Sequence, residues 1–143
     1  MYQDILIALD HSPSDEMLLA HVSQLAVQFR SRLLLLHVAD GWAARNFERL
    51  KLSESDEMRQ DRLYLEETAA KLEKDLGLEV GVKLALGNPP DEILKVAEAG
   101  KCDLIAMASH GHKLLGDLIH GSTIDQVRHN THVPILVVRG VKK

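Results

Sequence analysis

The stretch Asp103-Leu-Ile-Ala-Met-Ala-Ser-His-Gly111 is an apolar run that ends in a glycine turn, and Gly121-Ser122-Thr123 follows after nine further residues. Its apolar half is typical of a strand that is buried on both faces, as in a parallel sheet. Glycine lets a backbone approach a ligand closely, and a helix that begins at Gly121 offers unpaired N–H groups and a positive dipole end. The segment therefore predicts a strand, a turn and a helix that together can hold a phosphate group.

Strand-like segments recur along the whole chain. Ile5-Leu-Ile-Ala-Leu9 and Leu33-Leu-Leu-Leu-His-Val38 are apolar runs of the same buried type, and Pro134-Ile-Leu-Val-Val138 is the last strand. The segment from residue 80 to residue 86 alternates instead, which predicts a half-exposed strand at an edge of the sheet. Its side chains predicted to face the core are Val80, Val82, Leu84 and Leu86.

Four amphipathic helices are predicted between the strands, because apolar residues recur there at helical spacing. The predicted boundaries of these helices are Ser12 as N-cap with Pro13 as first helical residue, Arg30, Gly77, Pro89-Pro90, Gly100 and Gly121. The alternation predicts one α/β domain over residues 1–143, with an open five-stranded parallel sheet in the order 3-2-1-4-5 and helices on both faces, which is Rossmann-like. A long loop at about residues 39–58 contains Trp42, and a loop of this length is typical of a lid or binding loop or holds a short helix.

Composition narrows the class of protein. Hydrophobic residues make up 45% of the 143 residues but aromatic residues only 3%, so the core is expected to be aliphatic. A net charge of −4 without a basic stripe argues against nucleic acid as the main partner. Cys102 is the only cysteine, which excludes an intramolecular disulfide and a cysteine-based zinc site. We find no signal peptide and no apolar run near the length of a membrane helix, and we expect a cytoplasmic protein.

A ligand site is expected where the strand order reverses, at the carboxyl ends of strands one and four. Asp10 follows strand one directly. It is either a hydrogen-bond acceptor for a ribose hydroxyl or a metal-bound water, or an ordinary acid at a helix start. Ser122 and Thr123 can donate hydroxyls to phosphate, although such residues are also common in the first turn of a helix. The Walker A lysine and the dinucleotide glycine fingerprint are both missing from the sequence.

The eight histidines do not have the spacing of a metal site. His110, His112 and His120 are closest to the predicted phosphate turn, where they are better explained as hydrogen-bond donors. His37 is expected to be a satisfied structural histidine at a strand end. No metal ligand is therefore assigned to a side chain.

Together these segments resemble the universal stress protein family, in its nucleotide-binding branch. The resemblance is carried by Ile5-Leu-Ile-Ala-Leu-Asp-His-Ser12, by Leu36-His-Val38, by Gly87-Asn-Pro-Pro-Asp-Glu-Ile93 and by the spacing Gly-x2-Gly-x9-Gly-Ser/Thr, which is followed by Val133-Pro-Ile-Leu-Val-Val138. One residue departs from that spacing, because its first glycine falls on Ala108. If the backbone there is an ordinary strand end, alanine is harmless; if the ligand packs on that Cα, affinity drops.

The resemblance implies that ATP, or AMP, binds between the ends of strands one, two and four, with Mg²⁺ or Mn²⁺ on its phosphates. The implied contacts with base and ribose are Ala8, Leu9, Asp10 and Val38. The implied contacts with ribose and phosphates are Met107, Ala108, Ser109, His110, Gly111, Gly121, Ser122, Thr123 and Ile124. The resemblance also implies a homodimer that pairs through Pro134-Ile-Leu-Val-Val138, an apolar edge strand that needs covering.

Three functions remain open from the sequence. The first is a dimeric, adenine-nucleotide-binding regulatory or stress-response module. The second is a slow ATP hydrolase, for which only Asp10 or a loop histidine could position water. The third is a dimeric scaffold of the same family that has lost its nucleotide, as Ala108 would suggest.

Overall fold

A computed structural model describes residues 1–39, 56–109 and 121–140 of the chain. Its strands are β1 (Asp4–Ala8), β2 (Arg32–Ala39), β3 (Val80–Leu86), β4 (Leu104–Ser109) and β5 (Ile135–Arg139). Its helices are α1 (Ser14–Phe29), α2 (Asp56–Leu76), α3 (Pro89–Ala99) and α4 (Gly121–His129). Each predicted strand and helix is therefore present, in the predicted order.

The sheet has the order β3-β2-β1-β4-β5, and every neighbouring pair is parallel. Ile7 in the central strand pairs with Leu35 of β2 on one side and with Ala106 of β4 on the other. This confirms the predicted single α/β domain and places the reversal of strand order between β1 and β4. The carboxyl ends of those two strands consequently lie side by side.

The helices form two layers, one on each face of the sheet. Alternate residues of β1 supply both cores: Ile5, Ile7 and Leu9 pack with α1 and α2, whereas Leu6 and Ala8 pack with α3 and α4. This period of two is what a strand buried on both faces requires. In the part of the chain that the structure describes, no helix is long and apolar enough to cross a membrane.

Several predicted helix ends are confirmed by backbone geometry. Arg30 after α1 and Gly77 after α2 both adopt left-handed conformations, with φ of 53° and 69°. Helix α1 is assigned from Ser14 rather than Pro13, one residue later than predicted, and Pro13 is its N-cap residue. The Ser12 hydroxyl still accepts a hydrogen bond from the Ser14 N–H at 3.3 Å.

The predicted loop at residues 39–58 is too long at both ends. Ala39 is the last residue of β2, and α2 already begins at Asp56. The sequence predicts a loop up to Met58 because the charges of Asp56 and Glu57 obscure the helical pattern, although Met58 lies on the buried stripe of α2. Trp42 and Phe47 lie outside the described residues.

Strand β3 is an edge strand, as its alternating pattern predicts. The prediction of which of its side chains face the core is partly wrong. Val82 and Leu86 are 37% and 40% exposed, whereas Ala85 on the opposite face is buried. Ala85 packs into the core formed with α3, because helices cover both faces of this sheet. Alternation therefore identified the edge position correctly but did not identify which side chains are buried.

Candidate functional site

The candidate site is the edge of the sheet where β1 and β4 end side by side. The chain leaves β1 through Leu9, whose N–H still donates to the Leu36 carbonyl of β2 at 2.7 Å. Asp10 follows and is partly buried at the mouth of this crevice. Ser109, the last residue of β4, is also partly buried and pairs with Arg139 of β5. The structure thus brings the two predicted strand ends together.

Most predicted contact residues at this edge have buried side chains. Ala8, Leu9, Val38, Met107 and Ala108 are at most 5% exposed. A ligand in the crevice would therefore meet their backbone rather than their side chains. Thr123 and Ile124 in the first turn of α4 are buried as well. His110 and Gly111 lie outside the described residues, and Gly121 and Ser122 begin α4.

Ala108, the departure from the expected glycine spacing, lies within an ordinary strand. It pairs with Val138 of β5, and its methyl group belongs to the core formed with α1 and α2. An extended backbone suits alanine as well as glycine, and the extra methyl group is buried in that core. Alanine at this position therefore costs the site no backbone freedom.

The amino-terminal turn of α4 differs in charge from those of two other helices. The first turns of α1 and α3 carry acidic pairs, Asp15 with Glu16 and Asp91 with Glu92. The first turn of α4 has no acidic residue, and Arg128 and His129 lie in its last turn. Since acids compete with a bound anion for the positive end of a helix dipole, α4 is the helix best suited to receive phosphate.

The turn between β1 and α1 is held by a buried acid, Asp15. Its Oδ1 accepts from the Asp10 N–H at 3.1 Å, and its Oδ2 accepts from the His11 N–H at 2.9 Å. His11 has a left-handed backbone, with φ of 59°. Two successive N–H groups in such a turn form a concavity that favours an anion, and here the Asp15 carboxylate occupies it.

Asp15 is linked to α2 through Tyr64, whose hydroxyl donates to Oδ2 of Asp15 at 2.7 Å. Burial raises the pKa of Asp15 to about 6, and the Tyr64 hydrogen bond opposes that rise. The pKa of Tyr64 is also raised, by burial and by the neighbouring Asp15 carboxylate, so its hydroxyl stays protonated and remains a donor. The ring of Tyr64 stacks on the His11 ring, with centroids 4.0 Å apart.

A second buried acid, Asp61 of α2, bridges two histidines beneath the same turn. Its Oδ1 lies 2.7 Å from Nδ1 of His11, and its Oδ2 lies 3.3 Å from Nε2 of His37. His37 uses its other nitrogen to donate to the Leu9 carbonyl at 2.9 Å, because a carbonyl oxygen can only accept. His37 is thus a satisfied structural histidine, as predicted, and it ties β2 to the end of β1.

Gly140 closes the side of the crevice that is formed by β5. Its N–H donates to the Ser109 carbonyl, directly behind the end of β4. A Cβ atom placed on Gly140 would lie 2.8 Å from Cβ of Ser14 and 3.0 Å from that carbonyl oxygen. Only glycine fits between the end of β4 and the start of α1 without displacing one of them.

Sequence reasoning missed Asp15, Asp61, Tyr64 and Gly140 as parts of this site. A signal for the two acids was present, since Asp15 precedes the stripe Leu18, Val22 and Ala26, and Asp61 lies between Met58 and Leu65. A charged residue on the apolar stripe of a helix is seldom buried without a partner. That stripe position does not reveal the partner, which depends on how the helices pack.

Described residues line a cavity between α1 and α2 that includes Tyr64, and others further from this edge. One of about 240 Å³ opens at the amino ends of β1 and β2, beside the Arg32–Asp4 ion pair and Cys102. Burial raises the pKa of the Cys102 thiol to about 11, so the thiol is unreactive. Ligands of parallel sheets bind at the carboxyl ends of the strands, so the crevice between β1 and β4 is the candidate site.

A profile of the universal stress protein family matches residues 1–139. This chain belongs to the universal stress protein family. Universal stress protein MJ0577 of Methanocaldococcus jannaschii is 30% identical to it over 155 aligned residues, which cover 97% of this chain and 96% of that protein. The solved structure of MJ0577 has a TM-score of 0.74 at 28% identity and covers 100% of this chain and 99% of its own.

More distant universal stress proteins share the fold. One from Archaeoglobus fulgidus, solved in complex with dAMP, has a TM-score of 0.68 at 18% identity and covers 96% of this chain and 98% of that one. Another, solved in complex with cAMP, has a TM-score of 0.68 at 16% identity, with 98% of each chain covered. The five-stranded sheet and its four helices are thus the family's architecture.

Proposed function

We propose that this universal stress protein binds an adenine nucleotide, ATP or AMP, in the crevice between β1 and β4 and acts as a dimeric regulatory or stress-response module. The observation that supports the proposal most is the placement of Asp10 at the end of β1, beside the end of β4. The acid-free first turn of α4 follows β4 and can receive phosphate. A carboxylate for the ribose and a helix terminus for the phosphates are what a nucleotide requires.

The chain's own groups divide between the parts of the nucleotide. The backbones of Ala8, Leu9 and Val38 would face the base, and the Asp10 carboxylate would accept from a ribose hydroxyl. The backbone of residues 107–111 and the N–H groups of residues 121–124 would face ribose and phosphates. A Mg²⁺ or Mn²⁺ ion would be held through the phosphates and retained waters, since Mg²⁺ dehydrates reluctantly.

Two further facts support binding over loss of the ligand. The relatives solved with dAMP and with cAMP carry adenine nucleotides on this fold. The extended backbone of Ala108 removes the reason to suspect a family member without a nucleotide. We therefore place the nucleotide-free scaffold second.

A direct test is to heat-denature the freshly purified protein and separate the supernatant by anion exchange with detection at 260 nm. We expect an adenine nucleotide, whose elution position identifies it as ATP or AMP. An empty supernatant leads to the titration that follows, since a weak ligand is lost during purification.

The titration compares the wild type with Asp10→Ala, using Mg-ATP and AMP in isothermal calorimetry. We expect Asp10→Ala to bind at least about tenfold more weakly, because a hydrogen bond to a charged group contributes about 1.5–3 kcal/mol. Asp75→Ala, an exposed aspartate at the far end of α2, is the matched control and should bind like the wild type. Absence of binding by the wild type at millimolar nucleotide contradicts the proposal.

The proposed dimer interface is the open edge of β5, which among the described residues pairs with β4 alone. Val137 at this edge is 45% exposed, and antiparallel pairing with a second copy would cover it. We expect Val137→Glu to be a monomer by size exclusion with light scattering. Val27→Glu changes an equally exposed valine on α1 and should stay a dimer. A wild-type protein that is already monomeric refutes this interface.

A further inference from the structure

The turn that carries Asp10 needs a group outside its own backbone to hold its conformation. His11 has a φ of 59°, a region that a side chain other than glycine enters at a cost of about 1–2 kcal/mol. The Asp10 and His11 N–H groups point to the same side, and both donate to one carboxylate. The turn therefore needs an anion at that position, and Asp15 supplies it.

The Asp15 carboxylate is itself held by a residue of a different helix, α2. Tyr64 of α2 donates its hydroxyl to Asp15 and stacks its ring on His11, so it contacts both the acid and the turn. Asp61 of α2 lies 2.7 Å from Nδ1 of the same His11 ring. Helix α2 thus contacts the turn through the carboxylate of Asp61 and the ring and hydroxyl of Tyr64.

We propose that Asp15 is a positioning residue of the nucleotide site: its buried carboxylate, held by Tyr64, fixes the turn at Asp10 and His11 in the binding conformation, and protonation of Asp15 releases that turn. The inference rests on the proposed function, since it concerns the turn that would present Asp10 to the ribose. It makes adenine nucleotide affinity depend on the proton concentration.

Protonation of Asp15 falls in an accessible range of pH. Burial raises the pKa of Asp15 to about 6; the hydrogen bond from Tyr64 opposes this rise, and the nearby Asp10 carboxylate adds to it. The titratable groups that face Asp15 among the described residues are Asp10 and His11 of the turn and Tyr64 of α2; Asp61 of α2 and His37 of β2 lie one contact further, beyond the His11 ring. Below pH 6 the carboxyl becomes a donor and a weaker acceptor, so the two N–H groups lose their anion.

The test measures AMP affinity by calorimetry at pH 7.5 and pH 5 for the wild type and Asp15→Asn. The ratio of the two affinities cancels the protonation of AMP itself. We expect Asp15→Asn to bind about tenfold more weakly at pH 7.5 and the two proteins to agree within about twofold at pH 5, where about a tenth of Asp15 is ionised. Tyr64→Phe, which keeps the ring, should lie between them at pH 7.5.

A second readout does not need a ligand. In ¹⁵N–¹H spectra of the free wild type, the amide signals of Asp10 and His11 should titrate with a midpoint near pH 6, and this titration should be missing in Asp15→Asn. Amides that do not move, or an affinity ratio that is constant with pH, overturn the inference while the proposed function stands. Amides that titrate in a protein that binds no AMP overturn the proposed function and leave the link between Asp15 and the turn intact.

Discussion

The two walls of the crevice are built in different ways. The β4 wall consists of backbone and small residues, with Ser109 at its end, Gly140 behind it and the acid-free turn of α4 after it. The β1 wall consists of a strained turn that two buried acids hold, Asp15 from α1 and Asp61 from α2. The glycine spacing in the sequence predicts the β4 wall. The β1 wall cannot be predicted in this way, because it forms only when α1 and α2 pack together.

The comparison predicts that the β1 wall depends on charge and the β4 wall on shape. Replacing a buried acid should therefore damage the first wall, and adding a methyl group should damage the second. Substitutions that keep these two properties should be almost neutral.

The largest effect is expected for Asp61→Ala, which leaves His37 and His11 without their shared carboxylate. Each histidine loses a hydrogen-bond partner that is a carboxylate, and such bonds contribute about 1.5–3 kcal/mol; the partial exposure of His11 favours a total of about 3 kcal/mol. Urea denaturation monitored by circular dichroism measures the loss. Asp56→Ala at the start of the same helix breaks the exposed pair with Arg59, 3.2 Å apart, and removes an acid from the helix N-terminus, and should cost less than about 1 kcal/mol. Equal losses for the two variants would mean that the Asp61 contacts do not support the wall.

Gly140→Ala should be next, since its added methyl group would press on Ser14 and on the Ser109 carbonyl. Overpacking of this kind costs about 1–3 kcal/mol, and the same denaturation experiment measures it. Gly81→Ala in β3 is the control, because a Cβ there meets only Leu34 Cδ1 at an ordinary 3.6 Å. If Gly140→Ala were as stable as the wild type, the close packing between β4 and α1 would be refuted.

A smaller effect is expected when pH changes the charge on Asp15. The folded-state pKa of about 6 exceeds the ordinary value of 3.8, so the folded protein binds this proton more tightly than the unfolded chain. Stability from this group therefore rises as pH falls through 6 toward 3.8, by about 1.4 kcal/mol between pH 7.5 and pH 5. The free energy of unfolding of the wild type minus that of Asp15→Asn should increase by this amount. A difference that falls with acidification would contradict the raised pKa.

Stability and binding should thus respond to Asp15 in opposite directions. A lower pH should stabilise the fold, because the ionised carboxylate of Asp15 is costly to bury. The same change should weaken nucleotide binding, because the ionised carboxylate is the form that holds the turn. Such a conflict between stability and site geometry is common where a backbone is strained for function.

The smallest effect is expected for Ala108→Gly on the β4 wall. Its methyl group faces the core, so AMP affinity should change less than about twofold, whereas the glycine should cost roughly 0.5–1 kcal/mol of stability. Calorimetry and denaturation measure the two quantities. A large gain in affinity would show that the methyl group obstructs the ligand after all.

The fold could be predicted from the sequence because its strands are long apolar runs and its helix ends are marked by Pro13, Arg30 or glycine. The end of β4 at Ser109 and the start of α4 at Gly121 could also be predicted, since they follow directly from an apolar run and a glycine; Gly140 behind them could not, because its close packing on Ser14 depends on the fold. The network of Asp15, Tyr64 and Asp61 could not, because it joins residues about 50 positions apart that meet only through helix packing. The prediction of which side chains of β3 are buried was partly wrong for the same reason, because their burial depends on the helices that cover the sheet.

The central claim is that one adenine nucleotide contacts both walls, and amide mapping with AMP tests it most directly. We expect AMP to shift the ¹⁵N–¹H signals of Asp10 and His11 on one wall and of Ser109 and Thr123 on the other, while Asp103 at the opposite end of β4 stays unchanged. Shifts confined to one wall, shifts around the cavity beside Cys102, or none at millimolar AMP would contradict the account.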